Sequence, residues 1–236
     1  MSGSIRATTV PALEEVDGLV HGFEQRLGPA GWETHEQGRR RVATALAGRG
    51  RLLFLKQVHG AVARVAPWDG TPEGDAGLTA EAGLLVAIET ADCLPILLVD
   101  PRRRAAAAVH AGWRGTVAGV TRRTVDKLVG AVGSDTADIV AALGPGIGAC
   151  CYEVGNEVRD AFGPRGEPFF RPGGRGRPHL DVRAANVEQL LDAGIALDRI
   201  HHVVDCTFCR ADIYHSFRRE GKGAGRMVNY VGWEGS

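Results

Sequence analysis

Residues 83–100, GLLVAIETADCLPILLVD, form the most hydrophobic stretch of the chain. Their length and β-branched content predict two buried strands with a break at Thr90–Asp92. AAAAVHAGW, residues 105–113, predicts a further apolar strand stopped by Gly112. The fold must therefore be organised around strands in the middle of the chain, with a break that leaves Cys93 at a strand end.

The flanking segments alternate loosely between helix and strand. Residues 34–48 predict a surface helix ending at Gly50. Residues 51–60, RLLFLKQVHG, predict a buried strand running to Gly60, and residues 62–67 a second strand closing a hairpin across the HGA turn. Val117, Val120, Thr124 and Leu128 have helical spacing, with Thr116 as N-cap and Gly130 or Gly133 past the end. A strand is expected over residues 138–145, a short helix over 154–162 and a strand over 199–206. Asp181 is the expected cap of a helix ending at Gly194. Residues 163–179 are so rich in Gly, Pro and Arg that a long exposed loop is expected. The tail, residues 214–233, predicts a strand pair around a GKGAG turn. Together these segments predict an α+β fold: a single domain of mixed β-sheets with flanking helices, spanning residues 1–236.

Formal net charge is zero, which argues against a nucleic-acid footprint or an acidic-membrane partner. No apolar run approaches the length of a membrane span, and the N-terminus lacks the pattern of a signal peptide. Five cysteines without a secretion signal predict a reduced, cytoplasmic chain.

The chemistry concentrates in three short stretches: KQVHG around His59, TADC ending in Cys93, and VHAGWRG around His110. Each puts one soft or borderline ligand at the edge of an apolar run. Two imidazoles and a thiolate suit zinc and leave a fourth position open. Asp92 is the acid expected to hydrogen-bond an imidazole N–H and fix its tautomer. The same residues also suit metal-free chemistry, with Cys93 as a thiolate nucleophile and His110 or His59 as its base. A multicopper oxidase would need H-x-H pairs, and the chain has none.

The series KQVHG, GDAGLT, TADCLPILL, VHAGWRGT, GPGIGACCYEVG, RPHLD, CT and YHSFRREGKGAGRM resembles the laccase-domain family, also called the polyphenol oxidase or YfiH-type family. The resemblance runs from about residue 50 to 230. It implies zinc held by His59, Cys93 and His110, and phosphorolysis of the purine nucleosides adenosine, inosine, guanosine and methylthioadenosine. It also implies adenosine deaminase activity at the same site. Some members are associated with amidase-like editing of a peptidoglycan precursor, removing a misincorporated serine. The copper oxidase label has no support in the ligands present.

Phosphorolysis needs a cation for phosphate. Arg114, beside the turn after His110, is the first candidate, and Arg218 and Arg219 are a second pair. The GPGIGACCYEVG glycines do not match a nucleotide-binding spacing and read as a tight turn entering a helix, with Cys150 and Cys151 as packed thiols. Cys206 and Cys209 form a single CxxC, whereas a structural zinc site normally needs a second pair. Three functions therefore compete: a zinc-dependent nucleoside phosphorylase acting as a monomer on small nucleosides and phosphate, a Cys-dependent amidase, and a non-catalytic binding protein.

Overall fold

The apolar run divides where expected. In a computed structural model that describes residues 5–235, strands cover Leu84–Thr90 and Leu94–Asp100, with a turn of three residues between them. Along the chain, β1 (Ala7–Thr8), α1 (Pro11–Glu14), β2 (Leu19–Glu24) and α2 (His35–Leu46) come first. β3 (Arg51–Phe54), β4 (Ala63–Val65), β5 (Ala76–Thr79), β6 (Leu84–Thr90), β7 (Leu94–Asp100) and β8 (Ala105–Ala111) follow. Then come α3 (Trp113–Val117), α4 (Val120–Val132), β9 (Val140–Leu143) and α5 (Asn156–Phe162). The chain ends with β10 (Phe170–Arg171), β11 (His179–Leu180), α6 (Val182–Asp192), β12 (Ile200–His202), α7 (Phe217–Glu220) and β13 (Met227–Trp233).

Five strands form one sheet in the order β1-β2-β13-β6-β3, and six form a second in the order β12-β9-β7-β8-β5-β4. Both are mixed: β3–β6, β4–β5 and β9–β12 are parallel pairs and the rest antiparallel. The sheets face each other across a core of Phe23, Val86, Ile88, Val231 and Trp233 against Leu97, Val99, Ala106, Ala108 and Ala142. The other face of the six-stranded sheet buries Ile96, Leu98, Ala107 and Val109 under Val120, Val125, Leu128 and Leu190 of α4 and α6. The outer face of the five-stranded sheet packs Leu85, Ala87, Val228 and Tyr230 against Val42 and Leu46 of α2. Strands covered on both faces need no polar alternation, which is why β6, β7 and β8 read as continuous apolar runs. This is the α+β architecture of mixed sheets with flanking helices. No described helix is long and apolar enough to cross a membrane.

Several local expectations fail for identifiable reasons. β3 stops at Phe54 instead of reaching Gly60, because the N–H groups of Val58, His59 and Gly60 donate to the Asp75 carboxylate rather than to a neighbouring strand. β4 does not fold back on β3. It crosses to the other sheet and pairs in parallel with β5. Thr116 is not an N-cap: its Oγ1 donates to the Gly112 carbonyl, and α4 begins after left-handed Gly119. Residues 163–179 are not a free loop, since Phe169 and Phe170 pack edge-on against Phe162 and β10 pairs with β11. The tail carries one strand, β13, wedged between β2 and β6, and the SFRRE segment before it is the short helix α7. Asp181 does cap α6, accepting from the Ala184 N–H at 2.9 Å.

Candidate metal centre

His59, Cys93 and His110 come from three separate segments and meet at one end of the six-stranded sheet. Cys93 immediately precedes β7, and His110 lies near the end of β8, opposite Pro95 in the antiparallel register. His59 comes from the loop between β3 and β4. One donor atom from each lies within 4.8 Å of the others. The imidazoles meet edge-on, with ring centroids 4.8 Å apart. His110 is buried, Cys93 half-buried and His59 exposed, so the group opens to solvent on the His59 side.

Asp75, wholly buried just before β5, organises this group. Its Oδ1 accepts from His110 Nδ1 at 2.8 Å and from the His59 backbone N–H at 2.9 Å. Its Oδ2 accepts from the N–H of Gly60 at 2.7 Å and of Val58 at 3.3 Å. Burial alone would raise the Asp75 pKa. The hydrogen bonds from His110 and Gly60 outweigh it and hold the carboxyl below its ordinary value. With Nδ1 engaged as a donor, the neutral imidazole of His110 presents Nε2 as its free lone pair.

Asp92 does not perform the role its position in TADC suggested. Its Oδ1 accepts from Thr207 Oγ1 at 2.6 Å and its Oδ2 from the Arg218 backbone N–H at 2.7 Å, so it ties the β6–β7 turn to the C-terminal loops. The carboxylate that fixes the imidazole tautomer is Asp75, in the GDAGLT segment. Sequence alone offered no sign of this, because only the β5–β8 pairing brings residue 75 to residue 110.

Without metal, burial would raise the Cys93 thiol, but the adjacent His110 and His59 bring it down to about 6. Burial would likewise lower His110, yet the Cys93 thiolate and Asp75 raise it to about 9. A thiolate beside an imidazolium is thus the stable charge state near neutrality. His59 (φ 59°) and Asp92 (φ 90°) both hold left-handed backbone conformations, which cost non-glycine residues energy and cluster at functional sites. Gly112 leaves the donor space clear: a Cβ there would stand 3.0 Å from Cys93 Sγ and 3.1 Å from His59 Cδ2.

Beside this group lies a cleft of about 350 Å³ lined by Trp113, Arg114, Tyr152, Glu157, Arg177 and Arg218, among others. Arg114 lies over the Trp113 ring at 4.3 Å and Arg218 over Tyr152 at 5.4 Å, leaving both exposed guanidinium groups at the cleft wall. Burial and the neighbouring Cys93 charge push the Tyr152 phenol up, so it keeps its proton. Arg219 points elsewhere. It donates to the carbonyls of Thr207, Phe208 and Tyr214 and to Glu220, all at 2.7–2.8 Å, and acts as a clamp on the 207–214 loop.

The donor set fits a zinc ion: two imidazoles, one buried and oriented by a carboxylate, and a thiol already inclined to ionise. It lacks the further histidines of a multicopper cluster. Among the described residues the one other grouping of metal-type donors consists of four cysteines.

A purine nucleoside phosphorylase from Bacteroides thetaiotaomicron is 38% identical over 161 residues, 66% of this chain and 60% of that protein. Adenosine deaminase RL5, from an unidentified prokaryote, is 37% identical over 161 residues, again 66% of this chain and 61% of the relative. The chain thus matches about three fifths of the length of each. The crystal structure of YlmD from Geobacillus stearothermophilus superposes with a TM-score of 0.84 at 31% identity, covering 95% of this chain and 94% of YlmD. The family model described as multi-copper polyphenol oxidoreductase laccase matches residues 33–234, and the chain belongs to that family.

Proposed function

We propose that the protein is a zinc-dependent purine nucleoside phosphorylase, acting on adenosine, inosine, guanosine and methylthioadenosine, that also deaminates adenosine at the same site. The observation that carries this reading is the open His59–Cys93–His110 donor group beside a cleft walled by Arg114, Arg218 and Tyr152. The phosphorylase and deaminase names of the two relatives support the two activities.

His59, Cys93 and His110 would hold the zinc ion, which would supply Lewis-acid polarisation of a substrate oxygen. Asp75 holds the His110 proton at Nδ1 and fixes the approach of His59 through its backbone. Arg114 and Arg218 supply charge-assisted bonds to phosphate oxygens and orient them toward the anomeric carbon. The neutral Tyr152 phenol offers a hydrogen-bond donor to the nucleoside.

The test is product analysis. Purified protein is incubated with adenosine or inosine, with and without phosphate, and the products are separated by chromatography. Free base that appears only with phosphate, inosine from adenosine, and loss of both on chelation are expected. If neither product forms, or if Cys93→Ala leaves both unchanged, the reading fails.

One observation favours a second reading. The Cys93 thiolate beside a protonated His110 would be a metal-free nucleophile with an adjacent general acid, suited to an amidase acting on a peptidoglycan precursor. Serine release that survives chelation and stops on alkylation of Cys93 would select it.

A further inference from the structure

Four of the five cysteines lie outside the site described above, and the fold gathers all four. Cys150 and Cys151 sit in the turn after β9, Cys206 and Cys209 in the turns after β12. The parallel β9–β12 pair brings these turns together, and the pairing continues beyond the strands as an isolated bridge between Gly146 and Cys206. The single CxxC therefore has the second pair that the sequence appeared to lack: an adjacent Cys-Cys, recruited through the sheet. All four sulfurs lie within 4.8 Å of one another.

The spacing is that of a coordination shell. Zn–S bonds of about 2.3 Å in a tetrahedron set the sulfurs about 3.8 Å apart. Cys150 Sγ and Cys209 Sγ are 3.8 Å apart, and Cys151 Sγ and Cys209 Sγ are 3.4 Å apart. All four thiols are free, and these separations far exceed a disulfide bond of about 2.05 Å. The Gly148 N–H points at Cys206 Sγ from 3.2 Å. Gly148 also keeps the centre clear, since a Cβ there would lie 3.2 Å from Cys150 Sγ and 3.6 Å from Cys206 Sγ. Cys150 and Cys209 are exposed, which gives a metal ion a path in from solvent.

We propose that Cys150, Cys151, Cys206 and Cys209 form a second, structural zinc site, closed by four protein ligands and separate from His59–Cys93–His110. Binding of Zn²⁺ releases the four thiol protons to solvent and leaves four Zn–S bonds with no open position. The site clamps the loop after β9 to the loop after β12. Thr207, between two of the ligands, donates to Asp92 Oδ1, so the clamp also braces the turn that carries Cys93. Tetrathiolate geometry serves zinc or iron. A fold-bracing role that needs no electron transfer matches zinc.

The full-length protein is prepared under reducing conditions as wild type, His59→Ala and the double variant Cys206→Ser/Cys209→Ser. Metal per chain is measured by native mass spectrometry and elemental analysis. Two zinc ions are expected in the wild type and one in each variant. The double variant should also melt several degrees lower, a loss the wild type reproduces under a strong chelator. In the His59→Ala background, substitution with Co²⁺ should give the intense sulfur-to-cobalt absorption of a tetrathiolate, a readout independent of how well the double variant folds. One zinc abolished by His59→Ala and untouched by the double variant would overturn the proposal. So would a disulfide found by intact mass in freshly reduced protein, or iron in place of zinc. One zinc abolished only by the double variant would uphold this site and sink the zinc-dependent reading of the other.

Discussion

A single oxygen of Asp75 accepts from His110 Nδ1 at 2.8 Å and from the backbone N–H of His59 at 2.9 Å. The two imidazoles of the proposed catalytic site are thus set by one buried carboxylate, the first through its ring and the second through its main chain. Asp75→Asn keeps the shape but turns one acceptor into a donor facing N–H groups. Metal affinity is expected to fall about 10–100-fold. Stability should fall by about 2–4 kcal/mol, because buried donors lose a charged acceptor. Competition with a chromophoric chelator and urea unfolding measure the two effects. An unchanged affinity would remove Asp75 from the site.

Metal-free protein should show an unusually acidic Cys93. The thiol is lowered to about 6, so it is ionised above that pH and protonated below it. Alkylation of Cys93, followed at the peptide level to separate it from the other four cysteines, should rise with pH and reach half its maximum near that value. In His110→Asn the midpoint should move up toward an ordinary thiol. An identical profile in both proteins would show that His110 does not stabilise the thiolate.

Gly112→Ala introduces a methyl group 3.0 Å from Cys93 Sγ and 3.1 Å from His59 Cδ2. The backbone conformation there is ordinary extended chain, so folding should be little affected. Zinc content and phosphorolysis should both fall by tenfold or more, on the order of 1.4 kcal/mol. Full zinc occupancy in this variant would mean that the donors close somewhere other than the space Gly112 leaves.

The three candidate arginines differ in contact: Arg114 stacks on Trp113, Arg218 stacks on Tyr152 and gives one bond to the Glu153 carbonyl, and Arg219 is tied down by four bonds. Arg114→Ala and Arg218→Ala are expected to raise KM for phosphate about tenfold each, the loss of one charge-assisted bond. Both should leave melting nearly unchanged. Arg219→Ala releases three backbone carbonyls and Glu220. It should destabilise by about 3 kcal/mol, lowering Tm by roughly 6–12 °C. Phosphate-concentration kinetics and calorimetry distinguish the two kinds of effect.

What could be read from residues alone follows from how local each signal is. β6, β7 and β8 are legible because burial on both faces leaves an uninterrupted apolar run. The Asp181 cap is legible because its partner N–H is three residues away. Pairing partners are not local: nothing in residues 62–67 says that they will cross to the other sheet and lie beside β5. The three donors stand out by type and setting, but the expectation for Asp92 rests on adjacency in sequence, which gives no hint of Asp75. Sheet register, which decides adjacency in space, favours Asp75. The gathering of the four cysteines is illegible for the same reason, since counting pairs along the chain cannot anticipate a pair brought in through β9 and β12.

β6 and β7 are consecutive in the chain yet belong to opposite layers, and Thr90–Cys93 is where one layer hands over to the other. Cys93 is consequently a seam residue. Its distance to His110 is gauged not by the gap between the layers but by the β7–β8 pairing, which sets Pro95 opposite His110. A hollow cut under that pair, such as Ile96→Ala opposite Val109, should be transmitted along the strands as a mis-set ligand, although no atom of the site has been touched.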